Sequence, residues 1–192
     1  MSSNINVLLQ NIRSMRENFV TYSLYIASLT TVPDLIFVTE IWIYSRECSE
    51  FNLSNYNFRA CCNDDYRSGG VGVFLHKKYV RYSPQYLNWT SADVLILDIQ
   101  LAKHKWTFCC IYRFHNNDIA SFCDHLETFL RQHKNKNIVI LGDINIDILN
   151  IGASYRYQTM LASFGFLSYL NEPTRMRTCL DHVFAMCDNI SI

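Results

Sequence analysis

One segment constrains this chain more than any other: Asn137 to Asp147, reading Asn-Ile-Val-Ile-Leu-Gly-Asp-Ile-Asn-Ile-Asp. Ile138 to Leu141 is a short, unbroken apolar run, the pattern of a strand buried on both faces. Gly142 ends the run, and Asp143, Asn145 and Asp147 follow at every second residue. If the backbone stays extended past Gly142, these three side chains point the same way. Carboxylates at the end of a buried strand are desolvated and need a partner, a hard cation or a charged substrate.

Three readings of the segment compete. Asp and Asn form turns, so a strand followed by an Asx turn is the plain one. Asp-x-Asn-x-Asp also opens an EF-hand loop, but the sixth position is Ile148 rather than Gly and the twelfth is Ser154 rather than Glu. The third is a catalytic carboxylate–amide pair, which gains weight because other segments supply matching groups.

The rest of the chain is long enough to give that strand a core. At 192 residues it buries roughly 70% of its unfolded surface as one domain. It is 49% apolar, so it should be ordered. Its net charge of zero argues against a purely electrostatic nucleic-acid binder while leaving room for a local basic groove. Eight cysteines show no Cys-x-x-Cys spacing, which disfavours zinc and reads as reduced and intracellular. The start lacks a basic region followed by an apolar stretch, and no apolar run approaches a membrane span. The sequons at Asn52, Asn88 and Asn189 carry no weight without secretion.

Read in order, Ile5–Leu9 is a buried strand with Asn11 just beyond it. Ser14-Met-Arg-Glu17 is a capping box for a helix with Met15, Phe19, Tyr22, Ile26 and Leu29 on one face. A second apolar strand within Asp34–Thr39 ends at Glu40. Tyr56–Ala60 reads as an outer strand and Val71–Leu75 as the next. The glycines at 70 and 72 mark close backbone approach, because no Lys-Ser/Thr or helix cap follows to make a phosphate loop. Val94–Ile99 and Trp106–Tyr112 are further strands, with Arg113 next. Asn117 should cap a helix whose apolar face is Ile119, Phe122, Cys123, Leu126, Phe129 and Leu130. A third helix is expected over Ser154–Phe164, stopped by Gly165. Pro173-Thr-Arg is a loop, and Leu180–Phe184 is a late strand carrying Asp181. Frequent hairpins without strict βαβ alternation favour an α+β sandwich of mixed sheets covered by helices.

The polar strand ends form an ordered series: Gln-Asn11, Thr-Glu40, Tyr112-Arg113, Gly-Asp143-Ile-Asn145 and Leu-Asp181. Together with Asn-Ile-Arg-Ser, Thr-Glu-x-Trp, Gly-Gly-Val-Gly-Val and Pro-Thr-Arg, this series resembles the endonuclease/exonuclease/phosphatase, or DNase-I-like, superfamily. Within it, the wording is most similar to the apurinic-endonuclease-like domain of LINE-type (non-LTR) retrotransposons. The resemblance spans Ile5 to about Phe184. Each motif alone is weak; their order carries the signal.

The resemblance implies a four-layer sandwich and a Mg²⁺- or Mn²⁺-dependent endonuclease that nicks DNA. It implies that Glu40 binds the metal and that Asn11 supports metal and phosphate. Tyr112 would hydrogen-bond the phosphate or a neighbouring carboxylate, Asp143 would activate water, and Asn145 would orient the phosphate. Asp181 would orient a catalytic histidine. Arg113, Thr174, Arg175 and Thr178 are the candidates for gripping the DNA backbone, a solvated loop being the plain reading of the last three. The family places its histidine in a Ser/Thr-Asp-His motif beyond the Asp181 strand, and this sequence ends at Ile192 before one. The domain is therefore expected to be incomplete, lacking its last strand, and weakened as a nuclease. Neither Asp124-His125 nor Asp181-His182 replaces the motif, since neighbours in a regular strand face opposite ways. Competing functions are a non-catalytic DNA- or protein-binding remnant, and another phosphodiesterase or phosphatase of the superfamily. A reverse-transcriptase domain in a longer parent protein and a nuclear location, for access to chromosomal DNA, would follow from the retrotransposon reading.

Overall fold

A computed structural model describes residues 5–65, 67–101, 103–134 and 137–186. Cys187 and the sequon at Asn189 lie outside the described residues. The element order is β1 (Val7–Asn11), α1 (Met15–Ser28), β2 (Leu35–Thr39), a 3₁₀ segment (Ser45–Glu50), β3 (Tyr56–Cys61), β4 (Val71–His76), β5 (Tyr82–Trp89), β6 (Ala92–Leu101), β7 (His104–Arg113), α2 (Ile119–Gln132), β8 (Asn137–Asp143), α3 (Ile151–Ser163), β9 (Leu167–Ser168) and β10 (Asp181–Ala185).

Two sheets are present among the described residues. The smaller has the order β1-β2-β4-β3 and the larger β5-β6-β7-β8-β10-β9. Both are mixed: β1–β2 and β7–β8 are parallel, and the other pairs are antiparallel. Strand alternation divides the apolar residues into three cores. Phe37, Val73 and Leu75 of the smaller sheet meet Leu95, Leu97, Phe108, Val139 and Leu141 of the larger. On the outer face of the larger sheet, Ile96, Ile111, Ile138 and Ile140 pack with Phe122, Leu126, Tyr157 and Leu161 of α2 and α3. On the outer face of the smaller sheet, Ile36, Val38 and Phe74 pack with Met15 and Tyr22 of α1 and with Phe51. The result is the four-layer helix–sheet–sheet–helix sandwich expected from the sequence.

Local departures have physical causes. Asp118, not Asn117, caps α2, its side chain accepting from Ser121 N at 2.8 Å; Asn117 instead donates to Thr90 O. The third helix begins earlier than expected, because Asn150 accepts from Ala153 N and caps Ile151. Strand β5 was not legible: it is an edge strand with mixed burial and contains Pro84, tolerated where no ladder donor is needed. Gly142 does not end β8; it pairs within the strand with Ile111 and His182 on either side. Its φ is 138°, and a Cβ there would lie 1.9 Å from Ile111 O, so only glycine lets β8 run on to Asp143.

Candidate active site

Alternation that buries Leu95, Cys110, Leu141 and Val183 between the sheets carries polar residues onto the same face at one end. The register is continuous: Asp93 pairs with Tyr112, Tyr112 with Asp143, and Asp143 with Asp181. Four strands thus present a row of three carboxyl groups and one phenol. The end of β1 supplies Asn11 from the opposing sheet.

Glu40 reaches this row by a backbone exception. It follows β2 directly and has φ 52°, in the left-handed region that non-glycine residues seldom occupy. Asn11 Nδ2 lies 2.7 Å from Glu40 Oε1 and 2.6 Å from Asp143 Oδ2, tying the two sheets together. Arg13, Ser14, Trp42, Asn145 and Met176 also have positive φ and lie within a few residues of Asn11, Glu40, Asp143 or Arg175 in the chain, whereas Asn55, with φ 68°, stands apart before β3. Backbone strain concentrated in this way is a mark of functional sites.

Arg175 enters from the loop before β10. Its Nη2 is 2.7 Å from Asp143 Oδ2 and 3.5 Å from Glu40 Oε1. The loop is shaped by its threonines. Thr178 Oγ1 donates to Arg175 O, and Thr174 Oγ1 accepts from Leu180 N and Asp181 N. Thr174 also lies against the Asp181 carboxyl and opposes its upward shift, while Arg175 reaches Asp143 and Glu40. Arg113 faces the other way. It is buried, donates to Phe114 O and Asn117 O, and lies over the Phe122 ring, so its guanidinium is used inside the fold and not held out to grip DNA.

The extended run past Gly142 does not persist. Asn145 has φ 52° and donates to Arg113 O at 2.7 Å. Asp147 leaves the row altogether, accepting from Leu149 N and Cys179 N as an Asx-type turn residue. His182, as strand alternation requires, turns away from Asp181. It is fully buried against the Tyr157 ring, with Nε2 3.1 Å from Cys179 O.

The electrostatics follow from crowding and burial. Burial pushes the Asp143 carboxyl up to about 7; Arg175 pulls it down, while Asp181 and Glu40 push it further up. Burial also raises Asp181 and Asp93, and raises the Tyr112 phenol to about 12 with help from Glu40. Asp143 Oδ1 and Asp181 Oδ1 are buried without a hydrogen-bond partner among the described residues. Orphaned carboxylate oxygens beside further acid groups form an oxygen-rich donor set, which suits a hard divalent cation. Among the described residues, no three His, Cys, Asp or Glu side chains already cage an ion. The guanidinium of Arg175 is the positive charge between Glu40 and Asp143.

No protein-family model matches the sequence, and no curated protein does. Solved structures match the fold over nearly the whole chain. An endonuclease/exonuclease/phosphatase family protein from Bacteroides thetaiotaomicron superposes with a TM-score of 0.70 at 10% identity, covering 97% of this chain and 84% of that one. The endonuclease domain of TRAS1, a telomere-specific non-LTR retrotransposon, gives 0.69 at 16% identity over 96% and 85%. D. rerio TDP2, complexed with single strand DNA product, gives 0.67 at 14% identity over 94% and 83%. The chain has the endonuclease/exonuclease/phosphatase fold.

Within the endonuclease/exonuclease/phosphatase fold of this chain, Asn11, Glu40, Tyr112, Asp143 and Asp181 of the strand-end series come together, Arg175 joins them from the loop, and Asn145, expected with them, turns its amide to Arg113 O instead. Two features of the cleft escaped sequence reasoning. Asp93 stands at the start of β6, two residues before Leu95 and in phase with it, and accepts from Gly70 N at 2.7 Å. Its phase with Leu95, Leu97 and Ile99 was a usable signal. Gly69 lies against Asp93 and Tyr112, with φ 68°; a Cβ there would approach Asp93 Oδ2 to 2.7 Å.

Proposed function

We propose that this chain is a divalent-metal-dependent nuclease that hydrolyses phosphodiester bonds in DNA, of the retrotransposon endonuclease type. The observation that carries the reading is the row Asp93–Tyr112–Asp143–Asp181, facing Asn11 and Glu40, with two carboxylate oxygens left unpartnered among the described residues. Structural neighbours complexed with DNA products, TDP2 with a single strand and the Neisseria 3′ phosphatase NExo with a hairpin, support DNA as the substrate. The likeness to the TRAS1 domain supports the retrotransposon assignment, with a nuclear site of action and a reverse-transcriptase partner domain as its corollaries.

Glu40, Asp143 and Asn11 carry the donor oxygens that would hold Mg²⁺ or Mn²⁺, with Asp181 adjacent. Such an ion, when bound, neutralises charge on the phosphate oxygens. The protein groups do the rest. The ionised form of Asp143, whose pKa burial raises to about 7, takes a proton from the attacking water. The water oxygen bonds to phosphorus as the bond to the leaving oxygen breaks, and the leaving oxygen takes up a proton from solvent. Tyr112 and Arg175 lie beside Asp143 and stabilise the phosphate's developing charge.

The Arg175–Asp143–Glu40 contact favours a second reading, a DNA-binding protein without catalysis in which arginine permanently fills the cation position. Supercoiled plasmid incubated with the protein and Mg²⁺, Mn²⁺ or EDTA separates the two. Metal-dependent nicking that disappears in Asp143→Asn is the expected result. Retention of plasmid without nicking in any metal overturns the nuclease reading in favour of the second.

A further inference from the structure

Next to the carboxylates, a groove of about 460 Å³ is lined by Trp42, Arg67, Gly69, Tyr112, Phe114 and His115. It shares Tyr112 with the candidate active site and is of a size that receives a nucleotide. A second concavity, lined by Leu130, Lys134 and Phe166 among others, lies at the opposite end of β8, beside Ile138, and touches none of the carboxylates.

Three rings in the groove are not spent on folding. Trp42, Phe114 and His115 belong to none of the three hydrophobic cores; the first two are half-buried and the third is exposed. Half-exposed aromatics grouped beside polar chemistry are the groups that stack on planar ligands. Their placement is built. Trp42 has φ 51°, and its N–H donates to Gly69 O at 3.1 Å. Only glycine at 69 allows that carbonyl so close to Tyr112, because a Cβ there would lie 3.0 Å from the Tyr112 ring. Phe114 sits edge-on to Tyr112, with ring centroids 5.9 Å apart. Arg67, at the rim, is anchored by Glu47 and packs over Tyr44, so its charge is held in place. Arg16 shares the same Glu47 carboxylate and also meets Glu50 at 3.9 Å, so Arg67 does not neutralise Glu47 alone.

We infer that this groove binds an unstacked base of the DNA strand, one nucleotide removed from the phosphodiester at Asp143, with the base against Trp42 and Phe114 and its phosphate against Arg67. This rests on the nuclease reading for the position of the phosphate. It adds a preference for strand that is single or locally opened, because a base in a duplex cannot reach the rings without leaving its stack.

The test is an abasic scan. A single-stranded oligonucleotide of a dozen residues, and copies with one base each replaced by a tetrahydrofuran spacer, are titrated by fluorescence anisotropy in EDTA. Removal of one base is expected to weaken binding about 5- to 100-fold at a single position, the range for one base–aromatic stack. Trp42→Ala should bind the intact strand weaker by a similar factor and lose its sensitivity to the spacer at that position, with Trp42→Phe restoring both. Phe114→Ala serves as an independent variant should Trp42→Ala fail to fold. A flat scan in the wild type overturns the inference, as does a scan unchanged in a folded Trp42→Ala or Phe114→Ala. A flat scan with intact Mg²⁺-dependent plasmid nicking removes the groove and leaves the nuclease. Absence of both binding and nicking removes both.

Discussion

Asp143 and Asp181 stand directly opposite each other across the β8–β10 pair, and one oxygen of each carboxyl is buried without a partner among the described residues. Like charges placed so are tolerated only with a proton or a cation between them. Asp181→Asn should therefore raise thermal stability in EDTA, by on the order of 1 kcal/mol, and the gain should shrink when Mn²⁺ is added to both proteins. Scanning calorimetry with and without metal measures this. An equal gain in both conditions would mean that the pair is not what the ion relieves.

Asp143→Asn should lower plasmid nicking about 10²- to 10⁴-fold, the usual contribution of a positioned acid–base group. Asp181→Ala should cost far less, since the histidine partner expected from the family resemblance is not among its neighbours: His182 faces Tyr157 instead. Initial nicking rates of the two variants at saturating Mg²⁺ give the comparison. A larger loss for Asp181→Ala would transfer the base role to that residue.

Arg175 competes with a cation for Glu40 and Asp143. Arg175→Ala should bind Mn²⁺ several-fold tighter by calorimetric titration, whereas Glu40→Gln should bind it at least ~10-fold weaker. The same Arg175→Ala change should destabilise the metal-free protein by about 1–3 kcal/mol, less than a fully buried pair because the guanidinium is 38% exposed. Equal affinity in all three proteins would locate the metal elsewhere.

His182 makes stability depend on acid. Burial lowers its pKa from 6.5 to about 4. The folded state thus prefers the neutral ring, so this stabilisation is complete above pH 6.5 and is lost as pH falls toward 4. The loss should reach on the order of 3 kcal/mol. Urea melts of wild type and His182→Gln at pH 7.5 and pH 4.5 should show a smaller acid loss in the variant, even if it is less stable overall.

Gly142→Ala should prevent folding or cost more than ~4 kcal/mol, because its Cβ would meet backbone at Ile111 rather than a movable side chain. Circular dichroism of the variant decides this, and near-native stability would mean that β8 can shift against β7.

The sequence alone determined the strands that bury both faces and the polar residues that end them, because apolar runs and the period of two are local properties. Asn11, Glu40, Tyr112, Asp143 and Asp181 were legible for that reason, as were the apolar faces of α1 and α2. Tertiary structure decided the rest. Positive φ at Glu40 and Asn145 re-aimed side chains that alternation would have sent elsewhere. Cross-strand register placed Asp93 beside Tyr112 although they are distant in sequence. Burial of Arg113 against Phe122, and insertion of Arg175 between Glu40 and Asp143, depend on what packs above each strand, which no local pattern encodes. The sequence named the groups that carry charge to the sheet end; only the folded layers decided which of them share one cleft.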